Sequence, residues 1–136
     1  MLHLQLHQLI PSVGSKVLFP KERDVGISFC RLLLLDTMLY DDSFHCGTSV
    51  SPACDCGSDR ETAEHFLFHC SKYAEARRVM FDNIKEIWFT SKLKGQCKIT
   101  ESLLLADPQV NSISKRVYRN TKEQLFEFLA SVGRRL

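Results

Sequence analysis

SPACDCGSDRETAEHFLFHC, residues 51–70, is the most informative stretch of the chain. It carries Cys54, Cys56, His65 and Cys70, three thiols and an imidazole, the donor set of a tetrahedral Zn²⁺ site. One residue separates the two leading cysteines, eight separate Cys56 from His65, and four separate His65 from Cys70. The Cys-x-Cys start is tighter than the spacing of most zinc fingers, so a generic finger template does not fit. Gly57 follows directly and lets the chain turn through positive φ beside the metal. Ser51-Pro52 favours a turn ahead of it. A redox pair needs two residues between its cysteines and a βαβ setting, and neither is present. Six cysteines could build a disulfide framework, but no signal peptide is read at the start, and 136 residues can bury a core without staples. Cysteines that merely pack are the remaining reading. Zinc accounts for the stretch best, and thiolate ligands then require a reducing compartment, nuclear or cytoplasmic.

The spacing leaves alternates to this ligand set. On an α-helix, positions four apart share a face, whereas positions five apart stand about 140° apart. Cys70 therefore joins His65 only if the helix ends or tightens near His69. His69 is the first residue to substitute for it, and His45 and Cys46, shortly before Cys54, are further candidates.

The run Cys54-Asp55-Cys56-Gly57, then Glu61-Thr62-Ala63-Glu64-His65-Phe66-Leu67-Phe68-His69-Cys70, then Tyr73 and Arg77, carries a resemblance. It is similar to the zinc-binding region at the C-terminal end of non-LTR (LINE-type) retrotransposon reverse transcriptases. The likeness is good over residues 51–78 and looser over 31–47 and beyond 100. The family pattern puts ligands at His65 and Cys70 rather than at the alternates. Leu35 and Asp36 stand where relatives often have Gly-His, and His45 and Cys46 replace Arg and an aliphatic residue. These departures fit a fragment or a degenerate copy, and they spare the four ligands. The resemblance implies a non-catalytic zinc-binding module that contacts RNA or DNA beside the reverse transcriptase domain of a parent polypeptide. Neither the polymerase aspartates nor the RNase H carboxylates are identifiable, so the chain is not expected to be an enzyme by itself. A structural zinc module that mediates protein–protein or interdomain contacts is the alternative.

Composition supports one soluble domain: 44% of residues are hydrophobic and 25% charged, and no apolar run is long enough to span a bilayer. Charge is unevenly placed. Residues 1–70 hold five Lys and Arg against nine Asp and Glu, a balance of −4, whereas residues 71–136 hold thirteen against seven, a balance of +6. A basic half can neutralise phosphates and release their counterions. The candidate contacts are Lys72, Arg77, Arg78, Lys85 and Lys92 on one predicted helix and Lys115, Arg119 and Lys122 on another. On charge alone these cations are solvated helix faces; the resemblance shifts the reading toward nucleic acid.

Hydrophobic periodicity predicts a mainly α domain of four to five helices around one zinc knuckle, over residues 23–136. Residues 1–22 read as a linker or truncated upstream segment, with Leu2, Leu4 and Leu6 in a period-2 pattern. Helices are expected over 24–40, with Asp24 as cap, over a short segment bearing His65, over 71–92 and over 112–132. A short apolar turn over 100–106 is capped by Thr100. Thr62, or Ser58 in a capping box with Glu61, starts the His65 segment. Phe66 and Phe68 are assigned to the core, and Asp41 and Asp42 to a solvated helix end.

Overall fold

The last helix sets the frame of the molecule. In the computed structural model, which describes residues 20–34, 36–91, 97–105, 114–134 and 136, helix α5 (Lys115–Val132) buries Val117, Tyr118, Leu125, Phe126, Phe128 and Leu129 along one stripe. The hydroxyl of Ser114 accepts the Val117 amide at 3.3 Å to cap its start. Gly133, at φ 62°, ends it in the left-handed conformation that glycine adopts without a Cβ penalty.

Three further helices pack on α5: α1 (Arg23–Leu34), α3 (Ala74–Thr90) and the short α4 (Glu101–Leu105). The contact with α3 is the most extensive. Its polar margin holds a hydrogen bond from Asn83 to Gln124 at 2.9 Å. Between α1 and α3 the chain forms α2 (Tyr40–His45), the cysteine loop, a π-helical turn (His65–His69) and a 3₁₀ turn (Ser71–Tyr73). Among the described residues there is no strand, and no helix is long and apolar enough to cross a membrane. The domain is mainly helical, in agreement with the periodicity.

The core joins Phe29, Leu32 and Leu33 of α1 to Met80 and Ile84 of α3 and to Leu125, Phe128 and Leu129 of α5. Aromatic edges lock these layers: Phe29 meets Phe126 at 5.1 Å, and Phe66 of the π turn meets Phe128 at 5.7 Å and Tyr73 at 5.3 Å. Phe66 is fully buried and Phe68 half-buried, so both belong to the core as expected.

Two boundaries differ from the periodicity. The first helix stops at Leu34 instead of running to residue 40, and Asp24 lies within its first turn. The Asp42 carboxylate takes both the amide of Thr37, at 3.0 Å, and its hydroxyl, at 2.5 Å, while the Met38 amide donates to the Leu136 carbonyl. Short polar side chains offer the backbone partners outside the helix, and here they end it. The long helix, expected from residue 71, opens with the 3₁₀ turn and becomes α-helical only at Ala74. Thr100 caps α4 as expected, its hydroxyl accepting the Leu103 amide at 3.2 Å. Residues 1–19 of the expected upstream segment over 1–22, the helix stop after 106 and the start of the last helix at 112 lie outside the described residues.

Candidate metal centre

The cysteine loop is closed by its own backbone. Cys54 donates its amide to the Ser58 carbonyl at 2.9 Å, and Gly57, at φ 103°, donates to the Cys54 carbonyl at 3.1 Å. Any Cβ at residue 57 would force a side chain into a backbone region that L-residues rarely adopt. Below this tight turn, Glu61 donates its amide to Pro52 at 2.7 Å and so pins the base of the loop. The turn aims Cys54 and Cys56 toward the segment bearing His65.

That segment starts as expected in one respect: the Thr62 hydroxyl accepts the His65 amide at 3.1 Å. The Ser58–Glu61 capping box does not form. Glu61 is instead buried, and its carboxylate accepts the Tyr40 amide at 2.9 Å and an Arg134 N–H at 2.6 Å, with the Cys54 sulfur at 3.5 Å.

The π turn brings His65 and Cys70 together. The Cys70 amide donates to the His65 carbonyl at 2.7 Å, an i→i+5 bond, and Cys70 itself is already extended, at φ −65° and ψ 122°. One extra residue in the turn returns the fifth position, rather than the fourth, to the face of the first. The helix thus ends where it had to, but by widening and not by tightening.

Widening leaves carbonyl groups without helical partners, and Arg77 satisfies them. Its guanidinium donates to Leu67 at 2.9 Å, Phe66 at 3.1 Å and Cys70 at 2.9 Å. Arg77 is only 8% exposed. It is a clamp on the π turn and not a solvent-facing cation.

The sulfur and nitrogen atoms of Cys54, Cys56, His65 and Cys70 all lie within 4.8 Å of one another. The Cys54 and Cys70 sulfurs are 3.7 Å apart, and the Cys56 sulfur is 3.2 Å from His65 Nε2. A disulfide would need sulfurs about 2.05 Å apart, and all six cysteines are free thiols. The group can hold a metal ion. Cys54 and Cys70 are buried, and Cys56 and His65 are half-buried, so the site lies against the core and opens on one side. Burial pushes the Cys54 thiol up to about 12, whereas the Ser58 backbone N–H pulls Cys56 down to about 6.

The alternates stay outside this cluster. His45 Nδ1 lies 2.7 Å from the Asp41 carbonyl, Cys46 is exposed, and His69 is exposed with Nε2 3.8 Å from Glu64. Asp41, expected to be solvated, is buried and held by Arg60 at 2.7 and 3.0 Å.

Of the eight cations expected to meet nucleic acid, two are misplaced by that reading. Arg77 clamps the π turn, and Lys122 is fully buried, donating to the Leu103 and Leu104 carbonyls and lying over the Tyr118 ring. The signal was present: Arg77 falls in line with Tyr73, Met80 and Ile84, and Lys122 with Tyr118, Leu125 and Leu129, so both stand on apolar stripes. Lys72 is exposed, 3.7 Å from Asp55, and Arg78 is exposed between Glu75 and Asp82. Lys85, Lys115 and Arg119 are exposed, as is their neighbour Arg116, which the sequence reading did not single out. Lys92 lies outside the described residues. Comparison of the chain with family models, with curated proteins and with solved structures finds no match.

Proposed function

We propose that Cys54, Cys56, His65 and Cys70 hold one structural Zn²⁺ and that the chain is a non-catalytic, nucleic-acid-binding module of the LINE-type reverse transcriptase kind. The observation that carries the zinc reading is the convergence of four donor atoms within 4.8 Å. With metal–sulfur bonds of about 2.3 Å and metal–nitrogen bonds of about 2.0–2.1 Å, a tetrahedron has sulfur–sulfur edges of about 3.8 Å and sulfur–nitrogen edges of about 3.5 Å. The 3.7 Å sulfur pair matches the first, and the 3.2 Å sulfur–nitrogen pair sits slightly inside the second. Three soft thiolates and one imidazole select zinc over hard cations. Four protein ligands fill the tetrahedron and leave no position for a reacting water, which suits a structural role.

Nucleic-acid binding rests on the motif resemblance together with the exposed cations Lys85, Lys115, Arg116 and Arg119. Zinc would fix the cysteine loop to the π turn, and Arg77 would carry that order into α3. A second reading, docking onto another protein domain, is supported by exposed apolar side chains on and just after α1: Ile27, Leu34 and Met38.

The test measures metal content and circular dichroism of the wild type and of Cys56→Ser and His65→Ala, followed by RNA and DNA binding across a salt series. One zinc per chain is expected, lost in both variants. A folded wild type that takes up no zinc when zinc is supplied overturns the zinc reading. Charge reversal at Lys85, Lys115 and Arg119 should weaken binding and flatten its salt dependence. Unchanged binding after that reversal favours the docking module.

A further inference from the structure

Glu61 is 1% exposed, and it reaches three separate parts of the chain. Its Oε2 lies 3.5 Å from the sulfur of Cys54, and its Oε1 accepts from the Tyr40 amide at 2.9 Å and from Arg134 at 2.6 Å. Its backbone adds two more ties, donating to Pro52 and accepting the Asp41 amide at 3.2 Å. Arg134 also lies over the Tyr40 ring at 5.1 Å. Two residues on, Leu136 is 2% exposed, and its carbonyl accepts the Met38 amide at 2.5 Å. Residues beyond α5 are thus anchored at both Arg134 and Leu136 onto the segment that supports the first metal ligand.

A buried carboxylate beside a ligand sulfur is costly unless a cation offsets it. Arg134 is the one cation bonded to the Glu61 carboxylate among the described residues. Groups that hold a ligand from behind commonly change metal affinity by about 10–100-fold when removed. We propose that Arg134 and Glu61 form a strap on the Cys54 loop, so that retention of the metal depends on the docking of residue 134 beyond the last helix. As a ligand Cys54 is a thiolate with no proton to give Glu61, so the strap acts through the Glu61 amide on Pro52 and through the Arg134 charge, which offsets the two neighbouring anions. This rests on the reading that the Cys₃His group takes zinc. Arg134 is a positioning residue: it touches Glu61 and Tyr40, not the metal.

The experiment follows transfer of zinc from the loaded protein to a chromophoric chelator, in the wild type, Arg134→Gln, Arg134→Lys and the surface control Arg78→Gln. Arg134→Gln should release zinc about tenfold faster or more, Arg134→Lys should recover much of the difference, and Arg78→Gln should match the wild type. Cobalt-substituted Arg134→Gln should show altered absorption bands, because the Cys54 limb is no longer held in place. Release by Arg134→Gln within twofold of the wild type, with unaltered cobalt bands, overturns the strap alone. A wild type that takes up no metal overturns the site and the strap together. Hydrogen exchange on the wild type gives an answer even where a variant fails to fold. On chelation the Met38 and Tyr40 amides should lose protection ahead of the α5 amides; protection that is unchanged, or lost together with α5, overturns the proposal.

Discussion

Cys54 and Cys56 stand two residues apart and are driven in opposite directions. Burial holds Cys54 up at about 12, and the Ser58 N–H holds Cys56 down at about 6. Without metal at neutral pH, Cys56 is therefore largely a thiolate and Cys54 a thiol. Ligation needs both as thiolates, so metal entry must expel the Cys54 proton. Apparent zinc affinity should then rise with pH throughout pH 5.5 to 8, and more steeply below about pH 6, where Cys56 too must give up a proton. A competition titration across that range checks this; an affinity independent of pH contradicts it. For the metal-free fold the two thiols act oppositely. The lowered value of Cys56 contributes stability above about pH 9 that is lost as pH falls through about 6. The raised value of Cys54 contributes stability below about pH 9 that is lost as pH rises toward about 12. That Cys54, Cys56, His65 and Cys70 converge was legible because thiols and imidazoles are rare and their spacing is distinctive. Their environments were not, since they depend on which amides the loop turns inward.

At the level of the element, the π turn is the feature that spacing alone could not supply. An α-helix would place Cys70 off the His65 face, and no residue in HFLFH announces a widened turn. What stabilises it comes from the next helix. Arg77 returns three hydrogen bonds to the carbonyls of Phe66, Leu67 and Cys70. Arg77→Met should cost about 2–3 kcal/mol in denaturant unfolding of the zinc-loaded protein, because buried carbonyls would lose their donors. A loss below about 0.5 kcal/mol, typical of a surface substitution, would contradict the clamp. The same helix shows why helical stripes are legible in the sequence while the place of an individual cation is not. Apolar periodicity locates a buried face but does not say that a guanidinium on that face can be paid for by carbonyls. Lys122 repeats the lesson on α5, where the Leu103 and Leu104 carbonyls receive its ammonium. The early stop of α1 was hidden for a related reason: Asp42 captures Thr37 from outside the helix pattern.

Across the whole molecule, the Cys₃His cluster and the helical core are neighbours that share a wall. Phe66 and Leu67 belong to the core cluster, whereas Phe29, Leu32, Met80, Ile84, Leu125 and Phe128 pack without a ligand side chain among them. Chelation should therefore lower the melting temperature and loosen the cysteine loop while most far-ultraviolet helical signal remains. Complete loss of helix on chelation would show that the core cannot stand without the metal. The helical class was legible from periodicity because a 3.6-residue stripe survives any tertiary detail. The tie between the two ends of the domain was not, since Arg134 reads in sequence as a cation at a helix terminus. That tie has a consequence for the order of assembly. All four residues of the cluster fall within residues 54–70, so their loop closes with little chain entropy and could capture metal early. Arg134 meets Glu61 across 73 positions and must wait for α5. If the proposed site and strap hold, capture would precede retention on a chain emerging from its N-terminal side: the ion would exchange freely at first and be secured once the last helix docks.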